Sequence, residues 1–408
     1  MTSERPRLLV ISAVRPYPGG AGQEQRVRNK LLAFREHFET AFLIPLPLSE
    51  HDEARQRLAG LVDEAILLPS RYLAHPARRL AYRLAATAHA LATGLKTSNY
   101  LVGHVELGPG PLLAALDQHK KPDLVVVEYW HPAASIPHLQ ALGLPCVLDM
   151  HDFLWRSYER QLAVKTLPES WRRWQVRRYR RREEAAWKLF DALITINREE
   201  HEAVRKQLPG KDLFYAPMGT DMDFWSYGPE PASPPRIAYF GALANAHNQR
   251  SARRCAEEIM PQIWRHQPDV ELWLVGSRPP EDLRAIAERE PRVRVTGFVE
   301  DAPALLRTMR LVLCPWEGTY GFRSRLVEVM ALGVPVVASP DAVDGMDLRE
   351  NAGLFLADGE EMAARALAIL AGDPAEHGRA ARQQVEDVYS FAATYGRLSG
   401  ELREWIQQ

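Results

Sequence analysis

Short apolar runs alternate with longer stretches of helical periodicity along the whole chain. In the first half the runs are RLLVISAV, TAFLIPL, EAILLP, PDLVVVEYW, PCVLDMH, DALITIN and LFYAPM; in the second they are RIAYFGAL, VELWLVG, VRVTGF, LVLCPW, VPVVASP and GLFLAD. Runs that are apolar at nearly every position suit parallel strands covered on both faces. Their alternation with helices predicts βαβ units wound into doubly covered sheets. The series breaks once, at YGPEPASPPR, residues 227–236, where four prolines and a glycine mark a linker or long loop. The pattern predicts an α/β chain of two Rossmann-like doubly wound domains. The first spans residues 1–226, the linker 227–236 and the second 237–390, with a last helix over 391–408 able to pack back on the first domain.

Two helical stretches carry charge patterns of their own. WRRWQVRRYRRR, residues 171–182, holds seven arginines and three aromatics, with Trp171, Trp174, Ala185 and Leu189 on one side at helical spacing. It reads as a solvated helix; the alternatives are an anionic acceptor or membrane surface and, last, nucleic acid. Residues 76–95 place Leu80, Leu84, Ala88, Leu91 and Leu95 near helical spacing with Arg78, Arg79 and Arg83 to one side. That pattern fits a core-facing helix or one lying on an anionic membrane.

Composition narrows the class. Of 408 residues 46% are hydrophobic and 25% charged, a soluble globular balance that disfavours a disordered tail or a membrane channel. Lys+Arg number 51 and Asp+Glu 52, so a net charge of −1 provides no global field for nucleic acid. Cys146, Cys255 and Cys314 are too widely spaced for a disulfide framework, which points to a reducing compartment. No apolar run approaches the roughly 18 residues of a membrane span, and the N-terminus reads as a strand rather than a signal peptide. The expectation is a cytoplasmic protein, with peripheral contact at the inner membrane face as an option.

The strongest chemical signal is EGTYGFRSRLVEVMALGVPVVAS, residues 317–339. A loop after strand LVLCPW leads into the helix FRSRLVEVMAL, whose Leu326, Val329, Met330 and Gly333 would face the sheet. Arg325 and Glu328 stand three residues apart on one edge, as neighbouring groups do. The helix N-terminus attracts anions, so a nucleotide diphosphate could rest on the Gly321 and Phe322 backbone, Arg323 and Arg325. Its ribose would then meet Glu328, whose carboxylate can accept bonds from two vicinal hydroxyls. An ordinary surface ion pair is the competing reading. In the first half, PYPGGAGQEQR gives a glycine loop after the first strand, with Gly20, Gly22 and Gln23; a plain strand–helix turn explains it equally well. His151 follows strand PCVLDM at the C-terminal edge of a parallel sheet, where such sheets bind ligands, or it is satisfied locally. No clustered His or Cys ligands stand out, and arginines with a helix N-terminus can neutralise a diphosphate. No metal or other cofactor is expected.

The segment GFRSRLVEVMALGVPVVA resembles the donor-binding motif of retaining GT-B glycosyltransferases of glycosyltransferase family 4, in the branch patterned GtRxKxxEAxAxGxPVV. The resemblance implies two Rossmann-like domains facing across a cleft. It implies that Glu328 holds the ribose and Arg325, in place of the usual Lys, the diphosphate, with Arg323 assisting. IAYFGAL, containing Gly241, is similar to the first strand of the family's nucleotide domain; Asn248 takes its Asn position and Arg250 that of a phosphate contact. Phe298 and Val299 fall in the loop beside the base. Gly22 and Gln23 match the cleft loop's glycine pair, and His151 the histidine that reaches the donor sugar. Tyr320 stands where many members carry a second Glu. The implied activity is a metal-independent hexosyltransferase. It would move sugar with retention from a UDP- or GDP-linked donor to a sugar, lipid-linked or small-molecule acceptor, in polysaccharide or glycoconjugate biosynthesis. A catalytically silent nucleotide-sugar-binding protein, or another GT-B enzyme such as an epimerase or phosphorylase, are the alternatives.

Overall fold

A computed structural model describes residues 5–17, 22–70, 80, 84, 88, 106–163, 165–318 and 322–408. Two units result: residues 1–217 with 395–408, and residues 218–394.

The first unit is built on a seven-stranded parallel sheet, in the order β3-β2-β1-β4-β5-β6-β7. Its strands are β1 (Arg7–Ile11), β2 (Glu39–Leu46), β3 (Glu64–Pro69), β4 (Leu124–Glu128), β5 (Cys146–Asp149), β6 (Ala192–Thr195) and β7 (Asp212–Tyr215). Pairing β1 with β4 sets Leu9 beside Val125 and Val10 beside Val126. Alternate residues then feed opposite cores. Leu9, Ile11, Val125 and Val127 enter one, and Leu8, Val10, Leu124 and Val126 the other. This is why the strands read as unbroken apolar runs.

The second unit has a six-stranded parallel sheet in the order β10-β9-β8-β11-β12-β13. It comprises β8 (Arg236–Phe240), β9 (Glu271–Val275), β10 (Val293–Gly297), β11 (Leu311–Cys314), β12 (Val336–Ala338) and β13 (Leu354–Leu356). All thirteen apolar runs are strands.

The helices that position functional side chains or close the units are α1 (Gly22–Phe34), α2 (Leu154–Ala163), α3 (Glu169–Trp187), α4 (Arg198–Gln207), α5 (Ala246–Arg254), α6 (Ser324–Ala331), α7 (Pro374–Tyr389) and α8 (Arg397–Trp405). Among the described residues no helix is long and apolar enough to cross a membrane.

The division between units falls at Pro217/Met218, ahead of the Pro-rich stretch read as a linker. Residues 227–236 are tied to the second unit instead. Glu230 N–H donates to the Arg307 carbonyl at 2.8 Å and Ala232 N–H to that of Thr308 at 3.0 Å. Tyr227 fills the space over Gly333, where a Cβ would come within 2.4 Å of its ring, and φ of +82° there already demands glycine. Prolines stiffen this segment without making it a spacer. At the other end, α8 belongs to the first unit. Leu398 and Leu402 enter its core, Trp405 Nε1 donates to Asp212 at 2.9 Å and Arg397 donates to the Tyr215 carbonyl at 2.9 Å.

Helix α3 meets the core on a side other than the one shared by Trp171 and Trp174. Val176, Tyr179, Ala186 and Trp187 face the core, while Trp171 and Trp174 are 39% and 41% exposed. Of the 76–95 stretch only Leu80, Leu84 and Ala88 are described; they are helical and exposed.

Candidate active site

In the second unit, the end of β8 delivers Phe240 and Gly241, and Asn245 caps α5 by accepting from His247 N–H at 2.8 Å. Asn248, one turn on, accepts from the Tyr239 hydroxyl at 2.9 Å and donates to the Ala242 carbonyl at 2.8 Å. Glycine is required at 276, where a Cβ would collide with the Gly241 carbonyl. The resulting cavity of about 220 Å³ is lined by Gly241, Asn248, Trp316, Phe322, Arg323 and Arg325 among others. The Arg323 guanidinium lies 4.0 Å from the centre of the Trp316 ring and donates to the Gly318 carbonyl at 3.1 Å. Arg325 lies over Phe240 at 5.0 Å and holds Glu328 Oε2 at 2.6 Å.

Helix α6 sets this geometry. Leu326, Val329 and Met330 bury its inner face, which leaves Arg325 at the first turn, half exposed, and Glu328 one turn later, buried. Burial pushes the Glu328 carboxyl above its ordinary value, and the Arg325 charge and hydrogen bond oppose that shift. Arg325 takes one carboxylate oxygen; the other makes no hydrogen bond among the described residues. Burial lifts the neighbouring Cys314 thiol to about 11, so it is not a thiolate near neutrality.

Other expected donor residues scatter around this core. Arg250 pairs with His247 Nδ1 at 2.6 Å and lines an adjoining cavity of about 290 Å³, apart from Arg323 and Arg325. Phe298 is 80% exposed and Val299 packs against the core cluster that holds Leu326. Gly20, Gly321 and Tyr320 lie outside the described residues. Asp221 and Asp223 form a D-x-D. Asp221 Oδ1 accepts from the N–H groups of Asp223 and Phe224 at 3.1 and 3.0 Å, a local turn.

The first unit holds a second cluster, at the C-terminal ends of β4 and β5. Glu128 ends β4 and Asp149 ends β5; both are buried. Helix α1 sends in Arg26 and Lys30, four residues apart and also buried. Lys30 Nζ bonds both Glu128 oxygens at 2.6 and 2.9 Å and also Asp149, while Arg26 forks onto Asp149 at 3.0–3.2 Å. Burial penalises both carboxylates, yet Lys30 holds Glu128 below its ordinary value, and Arg26 with Lys30 holds Asp149 well below. His151 Nε2 stands 2.6 Å from Glu128, and its ring stacks on Tyr129 at 4.0 Å and 16°. Both ring-bearing residues adopt left-handed backbone, with φ of +61° and +66°, a conformation that costs energy and clusters at functional sites. The Tyr129 hydroxyl donates to Gln23 Oε1 at 3.1 Å, which ties the glycine-loop end at Gly22 and Gln23 to the His151 ring.

Three carboxylates hold the loop that carries His151. Asp149 accepts from His151 N–H at 3.1 Å, Glu200 of α4 from Phe153 N–H at 3.0 Å, and Glu183 of α3 from Leu154 and Trp155 N–H at 2.9 and 2.8 Å. Burial raises Glu183 well above its ordinary value, and burial with nearby Asp152 lifts Glu200 to about 8.

Atoms of Glu128, Asp149 and His151 lie within 4.8 Å of one another, a donor set of the kind a divalent ion accepts. The Lys30 ammonium already sits against both carboxylates, which puts a cation there without a metal. Arg26, Lys30, Glu128, Asp149 and Trp316 are members of these two clusters that sequence reasoning missed. An acid closing each of LVVVE and CVLD was the available signal, since unbroken apolar strands rarely end in buried charge.

Residues 234–372 match the family model of the group 1 glycosyl transferases. A phosphatidyl-myo-inositol mannosyltransferase of Mycobacterium leprae is 31% identical over 134 residues, 32% of this chain and 36% of that protein. The match thus spans about a third of that relative's length. Sucrose-phosphate synthase of Thermosynechococcus elongatus superposes with a TM-score of 0.62 at 16% identity, covering 99% of each chain. Anabaena HepE in complex with UDP gives 0.62 at 14% identity, over 98% of this chain and 100% of that one. The fold is GT-B. Within it, the Arg325–Glu328 pair lies in the segment that matches the group 1 glycosyl transferases, and the His151 cluster lies in the unit outside that match.

Proposed function

We propose that the chain is a retaining glycosyltransferase that moves a sugar from a UDP- or GDP-linked donor to a sugar, lipid-linked or small-molecule acceptor. One observation carries this reading: a buried carboxylate and a half-exposed arginine stand one turn apart at the start of α6, inside the matched segment. Arg323 and Arg325 take the diphosphate at the helix N-terminus and Glu328 the ribose hydroxyls. Glu328 keeps one oxygen with no hydrogen bond among the described residues, which suits a ribose hydroxyl. As the bond from the anomeric carbon to phosphate oxygen breaks, the electron pair stays on the departing diphosphate, and the two guanidinium groups stabilise it. The acceptor oxygen bonds to the same face of the sugar and its proton passes to the departing phosphate oxygen, so no protein base is used. His151 positions the sugar, held by Glu128 and Tyr129. Two arginines supply the charge that a metal supplies elsewhere. The name of the mannosyltransferase relative, which includes a phosphoinositide, favours a lipid-linked acceptor; UDP in the Anabaena structure favours a uridine donor.

A thermal-shift screen of UDP, GDP and their sugar conjugates tests donor binding, with acceptor trials on the best donor and NMR of the product linkage as the next step. Stabilisation by one nucleotide series and a product that keeps the donor's anomeric configuration are expected. No nucleotide response, or an inverted product, would overturn the proposal.

A further inference from the structure

Helix α3 carries seven arginines against three glutamates, one of which, Glu183, is buried beneath it. The chain as a whole has a net charge of −1, so this basicity is concentrated on one surface. Because Tyr179 and Trp187 face the core, helical spacing puts Trp174, Arg177, Arg181 and Lys188 along the centre of the outward face, with Trp171 and Leu189 on its flank. Trp171, Trp174 and Leu189 are 39%, 41% and 39% exposed. Arg173 and Arg180 are drawn to Glu169 and Glu184 along the helix, at 3.4 and 2.5 Å. Arg177 and Arg181 make no ion pair among the described residues. The helix runs about 28 Å at 1.5 Å per residue.

We propose that the outward face of α3 is a docking surface for an anionic phospholipid bilayer, with the helix axis lying in the plane of the membrane. The mixed chemistry decides the partner. A nucleic-acid duplex would pair its backbone with the arginines and leave two tryptophans and a leucine in water. The headgroup layer takes both, pairing guanidinium groups with phosphate and seating tryptophan at the boundary between polar and apolar regions. This surface can serve whatever reaction the chain catalyses.

Co-sedimentation of the full chain with phosphatidylcholine vesicles, with and without phosphatidylglycerol, tests it. Binding is expected only to the anionic vesicles. It should weaken between about 0.1 M and about 1 M salt, where the screening length falls from roughly 10 to roughly 3 Å. Arg177→Gln with Arg181→Gln should lower the partition coefficient about twenty-five-fold, roughly fivefold for each arginine, and Trp171→Ala with Trp174→Ala on the order of tenfold. These side chains are exposed, and circular dichroism checks that the variants fold. Four results would overturn the proposal. They are no binding to anionic vesicles, equal binding to neutral ones, unchanged binding in the arginine pair variant, and duplex DNA bound more tightly than the vesicles through Arg177 and Arg181.

Discussion

Lys30→Met removes a buried ammonium while keeping most of its stem. Lys30 Nζ stands 2.6 and 2.9 Å from the oxygens of Glu128 and bonds Asp149 as well. At roughly 3 Å and an effective dielectric of about 20, each attraction is worth about 5 kcal/mol; desolvation costs several kcal/mol for each ion. In the variant the cost of burying Glu128 remains and its main attraction is gone. The free energy of unfolding the first unit should therefore fall by about 3–5 kcal/mol near neutral pH. The sign with pH follows from Glu128. Burial pushes its folded value up, but Lys30 holds it below the ordinary one. Its contribution is therefore present above the ordinary carboxylate range and is lost as pH falls through the folded value. The gap between wild type and variant should narrow on acidification. Native-state hydrogen exchange at the β4 and β5 amides reads this unit's stability directly. Lys30→Met with Glu128→Gln should recover most of the loss, since no uncompensated charge is left behind. A loss under about 1 kcal/mol, or no recovery in the double variant, would show that Lys30 does not balance the buried acids.

Further outcomes rest on the same geometry. His151→Ala should lower turnover by a factor on the order of 10²–10³ and leave affinity for free nucleotide diphosphate nearly unchanged; wild-type turnover in a folded variant removes His151 from the sugar site. If the diphosphate rests on Arg323 and Arg325 as proposed, activity should survive chelation by EDTA; loss restored by Mg²⁺ or Mn²⁺ would contradict this. Glu200, lifted from 4.5 to about 8, contributes stability that is fully present below about 4.5 and is lost as pH rises through about 8. Glu200→Gln should flatten that slope by up to about 1.4 kcal/mol per pH unit in urea titrations between those limits; an unchanged slope places the proton elsewhere.

The strand framework was legible because parallel strands buried on both faces are apolar at consecutive positions, as Leu8 to Ile11 and Leu124 to Val127 illustrate. Helix α6 was legible too, since Arg325 and Glu328 are close in sequence and their pairing is a matter of helical spacing. The cluster around His151 was not. Lys30 and Glu128 are 98 residues apart and Arg26 and Asp149 are 123 apart, so only the sheet order brings them together. The unit boundary escaped because proline content reports backbone stiffness, not which unit the segment packs against. Which face of α3 meets the core was not legible, because spacing groups Trp171 with Trp174 but is silent on whether the core selects them or Tyr179 and Trp187.

The donor site stands or falls on whether α6 holds the nucleotide through Glu328. Titration calorimetry of the wild-type chain with UDP and GDP, repeated on Glu328→Ala, decides it. Charge-assisted hydrogen bonds to the ribose are worth about 1.5–3 kcal/mol, so the variant should bind the preferred nucleotide diphosphate tenfold or more weakly while its melting temperature stays near that of the wild type. A folded variant with unchanged affinity would mean that Glu328 does not hold the ribose.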